Sequence, residues 1–180
     1  MLLNLYEKIC SSEFKPEIIV GVMRGGLIPA RILSDLLENP NLTTVRTECY
    51  SPFDVKKEPI VTHPLLEPVN GKTVLIIDDI ADTGRSLRLI VRHVMQQNAS
   101  EIRTATLFYK PWSVITPNYF EEETRQWVVF PWDIKETVRK AFETNYKMPV
   151  SQLSKDLYAL GLPKLMSNRF LKEIAKASIC

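Results

Sequence analysis

No stretch of the 180 residues approaches the ~20 consecutive apolar positions that a membrane-spanning helix needs. Cysteine is scarce: Cys10, Cys49 and Cys180 lie far apart, are odd in number and form no CxxC pair. That argues against a disulfide framework or a structural zinc site and points to a reducing, cytoplasmic setting. The first residues, MLLNLYEKIC, hold an apolar run too short for a signal-peptide core and an acid within it, so no leader is expected. Net charge is also small, at +2, and favours neither nucleic acid nor membrane as a partner of the whole chain. Internal repeats and low-complexity tracts are missing. What is present is a chain of one-domain size, 45% apolar and 24% charged, the composition of a globular protein.

The small net charge hides an uneven distribution. From Lys147 onward there are six basic residues (Lys147, Lys155, Lys164, Arg169, Lys172, Lys176) against Asp156 and Glu173, a net of +4 that leaves −2 for the rest. A solvated helix face is the plain reading, and a tail that touches nucleic acid is the alternative.

Ile18–Gly21 and Thr73–Ile77 are short β-branched apolar runs bounded by turn signals. Continuous runs of this kind suit strands covered on both faces, as in a parallel sheet. Each leads through a glycine-containing turn into a helical pattern. The first has Ile28, Ile32, Leu33, Leu36 and Leu37 on its apolar side, and the second has Leu87, Ile90, Val91 and Val94. Ile102–Phe108 and Trp127–Phe130 read as further strands. Strand, turn and helix in repetition predict an α/β sheet with right-handed crossovers. Residues 51–70 break the pattern with Pro52, Pro59, Pro64 and Pro68 and no clean period, which suggests either a lid or a surface excursion. After Pro149 a helix pair is expected. Ser151 would cap a helix bearing Leu153, Leu157 and Leu160; Gly161 stops it, and Pro163 opens a second carrying Met166, Phe170 and Ile174.

The chemistry concentrates in Val74-Leu75-Ile76-Ile77-Asp78-Asp79-Ile80-Ala81-Asp82-Thr83-Gly84-Arg85-Ser86. Ligands of open α/β sheets bind outside the carboxyl ends of strands. Asp78 and Asp79 stand there as acceptors for a sugar diol or as holders of a metal ion. The following loop opens a helix, so backbone N–H groups and the hydroxyls of Thr83 and Ser86 form an anion cradle. The simpler alternative is an acidic strand end with a capped helix, in which Asp82 and Ser86 only start the helix. Arg24-Gly25-Gly26 follows the first strand in the same way. Its glycines let amides approach an anion, and Arg24 adds a fork of donors.

The first window resembles the phosphoribosyl-pyrophosphate motif of type I phosphoribosyltransferases: an apolar strand, two acids, then Asp-Thr-Gly-x-Ser/Thr. The second resembles the family's pyrophosphate loop, in the form found in bacterial xanthine-guanine phosphoribosyltransferases with Met23 replacing a serine. Lys110-Pro111, Trp127-Val128 and Phe130-Pro131-Trp132-Asp133 resemble the base-binding segments of those 6-oxopurine enzymes. The likeness runs from about Glu17 to about Glu136. It implies that Asp78 and Asp79 address the ribose hydroxyls, that Ala81, Asp82, Thr83, Gly84, Arg85 and Ser86 hold the 5′-phosphate, and that Arg24, Gly25 and Gly26 receive pyrophosphate. It also implies Lys110 on the purine O6, Trp127 over the base, the Val128 backbone at its edge, and Asp82 facing N7 as the catalytic base. Mg²⁺ is implied near Asp79, with a second ion near Asp133.

The implied fold is the type I phosphoribosyltransferase α/β fold: a mostly parallel central sheet flanked by helices, with a hood and a C-terminal helical extension. Residues 1–146 would form the transferase domain with the hood at about 50–70. Residues 147–180 would pack on the core or at a subunit interface. The family's hood carries Ser-Tyr, whereas this chain has Cys49-Tyr50-Ser51, so the order departs. The implied substrates are phosphoribosyl pyrophosphate and a purine (hypoxanthine, guanine or xanthine), and the implied assembly is a homodimer or homotetramer, with no nucleic-acid or membrane partner. The rival readings are a donor-sensing regulator with a DNA-binding tail, disfavoured because polar Ser167 falls where a helix-turn-helix wants an apolar residue, and a transferase for another base.

Overall fold

The computed structural model describes residues 1–48 and 58–177. In chain order the elements are α1 (Leu2–Ser11), β1 (Ile18–Met23), α2 (Leu27–Leu36), β2 (Leu42–Glu48), β3 (Ile60–His63), β4 (Thr73–Ala81), α3 (Arg85–Met95), β5 (Glu101–Tyr109), β6 (Tyr119–Glu123), α4 (Ile134–Thr144), α5 (Val150–Ala159) and α6 (Lys164–Ala177). They fall into two compact units, Met1–Arg125 and Gln126–Cys180.

In the first unit the strands form one sheet in the order β3-β2-β1-β4-β5-β6. All neighbours are parallel except β2 and β3. The apolar runs are continuous because both sheet faces are covered. Ile18, Val20, Val22, Val74 and Ile76 pack with Leu87, Ile90 and Val94 of α3. Alternation sends Ile19, Leu75 and Ile77 to the opposite face, where α2 lies on β1 and β4. Each such side chain contributes roughly 1.5–3 kcal/mol on burial.

The structure departs from several sequence-based expectations. The apolar side of α2 is not the one read from its isoleucines. Ile28 and Ile32 are each 40% exposed, whereas Leu33 is buried as expected and shares its face with the buried Ala30 and Ser34. Close approach decides this: a Cβ at Gly21 would lie 3.0 Å from the Ala30 Cβ, so the small residue must face the sheet. The described part of the proline-rich stretch is ordered as β3, an edge strand antiparallel to β2, followed by Leu65 and Val69 in the core. The Leu65 N–H donates to His93 Nε2 at 3.2 Å. Cys49 and Tyr50 lie outside the described residues. Residues 127–130 form no strand. The sixth strand is Tyr119–Glu123, whose three consecutive glutamates suit a sheet edge and hide an apolar signal.

The second unit is helical, and α4 packs with α5 and α6 around Ile134, Val138, Leu153, Leu157, Leu162, Leu171 and Ile174. This unit therefore begins ahead of residue 147. The buried face of α6 runs through Ser167, Leu171 and Ile174, while Met166, expected on that face, is 39% exposed. Ser167 is accommodated because its hydroxyl donates to the Pro163 carbonyl at 3.0 Å, so its polarity does not keep it out of a packed position. Leu160 is exposed, the N-terminal cap of α5 is Pro149 rather than Ser151, and Gly161 ends α5 with φ +89° as anticipated. Part of the basic tail is engaged locally. Arg169 pairs with Glu173, and the Lys164 ammonium lies 5.8 Å from the Tyr158 ring centroid. No helix among the described residues is long and apolar enough to cross a membrane.

Candidate active site

Parallel pairing brings the carboxyl ends of β1, β4 and β5 to one edge of the sheet, with Gly21 opposite Ile77 and Ala81 opposite Tyr109. Beyond β1 the Met23–Arg24 peptide is cis, and Arg24-Gly25-Gly26 turns into α2. The turn lies directly against the acids at the end of β4. A Cβ at Gly25 would sit 2.0 Å from Asp79 Oδ2, and one at Gly26 would sit 2.6 Å from the Ile77 carbonyl oxygen and 2.7 Å from Asp78 Cα. At Gly26 the obstruction is backbone and only hydrogens fit; at Gly25 it is the Asp79 carboxylate, which a methyl group would displace. The two sequence motifs are thus one structural feature, an amide-lined turn pressed on a carboxylate pair.

The pair is electrostatically strained. Burial, and then the negative charge of Asp79, push the Asp78 carboxyl well above the ordinary carboxylate range. The Asp79 N–H donates to Asp78 Oδ1 at 2.9 Å, which offsets part of that effect. Asp79 is itself buried. Two adjacent, partly desolvated acids are relieved by hydroxyl donors or by a divalent cation.

Ala81, the last residue of β4, is buried while Asp82 and Thr83 beyond it are exposed, and Gly84 at φ +71° precedes the first residue of α3, Arg85. The N-cap residue Gly84 has no side chain to cap α3, and the Arg85 N–H donates to Thr83 Oγ1 at 3.4 Å. The first-turn amides of α3, together with the hydroxyls of Thr83 and Ser86, are those of an anion-binding helix start. The segment following β5 braces this loop. The Lys110 N–H donates to the Ala81 carbonyl at 3.0 Å and the Val114 N–H to the Thr83 carbonyl at 3.0 Å. A Cβ at Gly84 would meet Ser113 Oγ at 2.1 Å. Lys110 is 4% exposed, a buried cation at the sheet edge rather than a solvated lysine. Trp112, which the motifs did not single out, donates from Nε1 to Asp82 Oδ1 at 3.2 Å. The available signal was an aromatic residue two positions after a strand-end lysine.

Arg24, Gly25, Gly26, Asp78, Asp79, the 81–86 loop and Lys110 are therefore brought to one edge of the first unit. Trp127, Val128 and Asp133 belong to the second unit. There Trp127 is 73% exposed, Val128 is half-buried, and Asp133 stands at the N-cap position of α4, its N–H donating to the Phe130 carbonyl at 3.0 Å. Phe130 and Trp132 stack with centroids 5.0 Å apart.

The donor set fits Mg²⁺ only in one form. Among the described residues no three Asp, Glu, His or Cys side chains cluster. The strained Asp78–Asp79 pair suits an ion that takes one or two carboxylates and completes its shell with waters and substrate oxygens.

The family described as the phosphoribosyl transferase domain matches residues 3–138. Xanthine-guanine phosphoribosyltransferase of Nitratidesulfovibrio vulgaris is 34% identical over 119 residues, spanning 64% of this chain and 68% of the relative. Among solved structures, a purine phosphoribosyltransferase from Pyrococcus horikoshii aligns with TM-score 0.66 at 39% identity, over 73% of this chain and 85% of that one. The xanthine-guanine-hypoxanthine phosphoribosyltransferase of Helicobacter pylori shares the fold, with TM-score 0.66 at 21% identity over 78% and 91%.

Proposed function

The chain belongs to the phosphoribosyltransferase family as an enzyme of its purine branch, and from that premise we propose that it transfers the phosphoribosyl group of phosphoribosyl pyrophosphate to N9 of a 6-oxopurine. The products are the nucleoside 5′-monophosphate and pyrophosphate, and the role is purine salvage in the cytoplasm. One observation carries the reading: Gly25 and Gly26 press on Asp78 and Asp79 at the same edge where Lys110 is buried against the 81–84 loop. That edge combines an amide turn for pyrophosphate, acceptors for a ribose diol, a cradle for a 5′-phosphate and a cation for a purine carbonyl.

In this reading Ala81 through Ser86 bind the 5′-phosphate, and Asp78 and Asp79 orient the ribose. The bond from C1 to the pyrophosphate oxygen lengthens, and positive charge builds on the ring. Pyrophosphate is received by Arg24 and the amides of Gly25 and Gly26. N9 forms the new bond to C1 from the opposite face, and Asp82 takes the proton that the purine loses, a step typically worth ~10²–10⁴-fold. Lys110 donates to O6 and so favours a carbonyl over an amine; Trp127 and the Val128 backbone are assigned to the base by the family resemblance alone. Mg²⁺ would be held at Asp79 and, by the family resemblance, at Asp133; when bound it supplies charge neutralisation for the departing pyrophosphate. By the family resemblance the chain assembles as a homodimer or homotetramer.

The test is a parallel assay with Mg²⁺ and phosphoribosyl pyrophosphate against hypoxanthine, guanine, xanthine, adenine, uracil and orotate. Turnover confined to one or more of the first three is the expected result. Preferential turnover of adenine, uracil or orotate would overturn the reading of Lys110.

A further inference from the structure

Trp112 is not explained by packing. Its side chain is 51% exposed, yet the loop that carries it is fixed. The Ser113 N–H donates to the Lys110 carbonyl at 2.9 Å and the Val114 N–H to the Thr83 carbonyl at 3.0 Å, and Gly84 admits no methyl group against Ser113. An anchored loop therefore presents one indole to two functional groups. The ring edge donates from Nε1 to Asp82 Oδ1 at 3.2 Å. The ring face has the Lys110 ammonium 5.5 Å from its centroid, within cation–π range.

A carboxylate on an exposed aspartate rotates freely, because its terminal torsion is broad. A donor fixed on Oδ1 removes that freedom and leaves Oδ2 as the oxygen available to a substrate proton. The ammonium of a long side chain gains orientation from the ring face in the same way. We propose that Trp112 is a positioning residue for both groups: its N–H edge sets the Asp82 carboxylate and its face sets the Lys110 ammonium. This rests on the reading that Asp82 takes the purine proton and Lys110 reads the purine carbonyl. A single indole thereby couples the proton-accepting group to the group that selects the base.

The two contributions separate by substitution. Trp112→Phe keeps a ring face and loses the N–H, whereas Trp112→Leu loses both. Trp112→Phe is expected to lower kcat about tenfold, with KM for the preferred 6-oxopurine within about twofold of wild type, the scale of one charge-assisted hydrogen bond. Trp112→Leu is expected to add a rise of about tenfold in that KM while leaving KM for phosphoribosyl pyrophosphate unchanged. Asp82→Ala removes the acceptor, so in that background Trp112→Phe should cost less than about twofold. Retention of wild-type kcat by Trp112→Phe, alongside an impaired Asp82→Ala, would overturn the role of Trp112 alone. So would a full tenfold cost of Trp112→Phe in the Asp82→Ala background, because a ring that merely packs acts independently of the carboxylate. Wild-type turnover by Asp82→Ala would overturn the reading of Asp82 itself, and this inference with it. If Trp112→Leu fails to fold, the Phe arms decide.

Discussion

In the sheet unit the glycines of the functional edge are required by their neighbours: at Gly25, Gly26 and Gly84 an added Cβ would lie within 2.6 Å of another residue. In the helical unit the situation is reversed. Gly161 has nothing within 4 Å of an added Cβ and is there for its backbone angle, φ +89°. At the functional edge Gly25 and Gly26 bring two chain segments into contact around acids, whereas Gly161 serves to end a helix. Substitutions in the two regions should therefore fail differently, one through chemistry and close packing, the other through backbone strain alone.

The largest separation is expected from Asp82→Asn, which should lower turnover by ~10²–10⁴-fold while donor affinity stays near wild type. Steady-state kinetics with a direct donor titration checks both halves, and weakened binding with unchanged turnover would remove Asp82 from the proton-accepting role. Next comes the glycine pair. Gly26→Ala drives a methyl into the Ile77 carbonyl and the Asp78 backbone and should destabilise the fold by about 3 kcal/mol. Gly25→Ala meets only the Asp79 carboxylate, so denaturant titration should show a smaller loss and calorimetry a larger defect in donor binding. Equal stability losses would contradict the placement of the turn.

Asp78→Asn should move the other way in stability. The Asp78 carboxyl is held above its unfolded value by burial and by Asp79, so the folded state binds the proton more tightly. Its contribution is fully present below the ordinary carboxylate range and is lost as pH rises toward the raised value. At neutral pH, without ligand or Mg²⁺, the neutral amide should therefore raise Tm, at roughly 2–4 °C per kcal/mol for a chain of this size, while donor binding falls. The wild-type deficit should shrink as pH is lowered toward 4. A variant that melts lower at neutral pH would show that the acids are not strained. The smallest effect belongs to the helical unit: Gly161→Ala should cost about 1 kcal/mol from the positive φ and leave turnover unchanged, as thermal melting and the same assay would report.

The same contrast explains what could be read from the sequence. The central strands and α3 were legible because a sheet covered on both faces demands uninterrupted apolar runs, and the acids and loop glycines sit where such strands end. β3 and β6 were not. One is four residues between Pro59 and Pro64, and the other is glutamate at three of its five positions, so neither carries a periodic signal. The buried face of α2 was misread because hydrophobicity alone favours isoleucine over Ala30, whereas the close approach of Gly21 requires the smaller residue. Ser167 is buried for the related reason that an i−4 carbonyl satisfies its hydroxyl inside the helix. Trp112 gave no motif, because its place is set by a loop that becomes defined only when β4 and β5 pair.

The measurement that bears most directly on the account is calorimetric titration of phosphoribosyl pyrophosphate, with Mg²⁺, into the wild-type chain, the Asp78→Asn/Asp79→Asn variant and Gly161→Ala. Saturable binding by wild type and Gly161→Ala, weakened about tenfold or more in the double variant, is the predicted result. Equal affinity in the wild-type and double-variant proteins, or no binding by wild type, would contradict the assignment of donor chemistry to the strand-end acids.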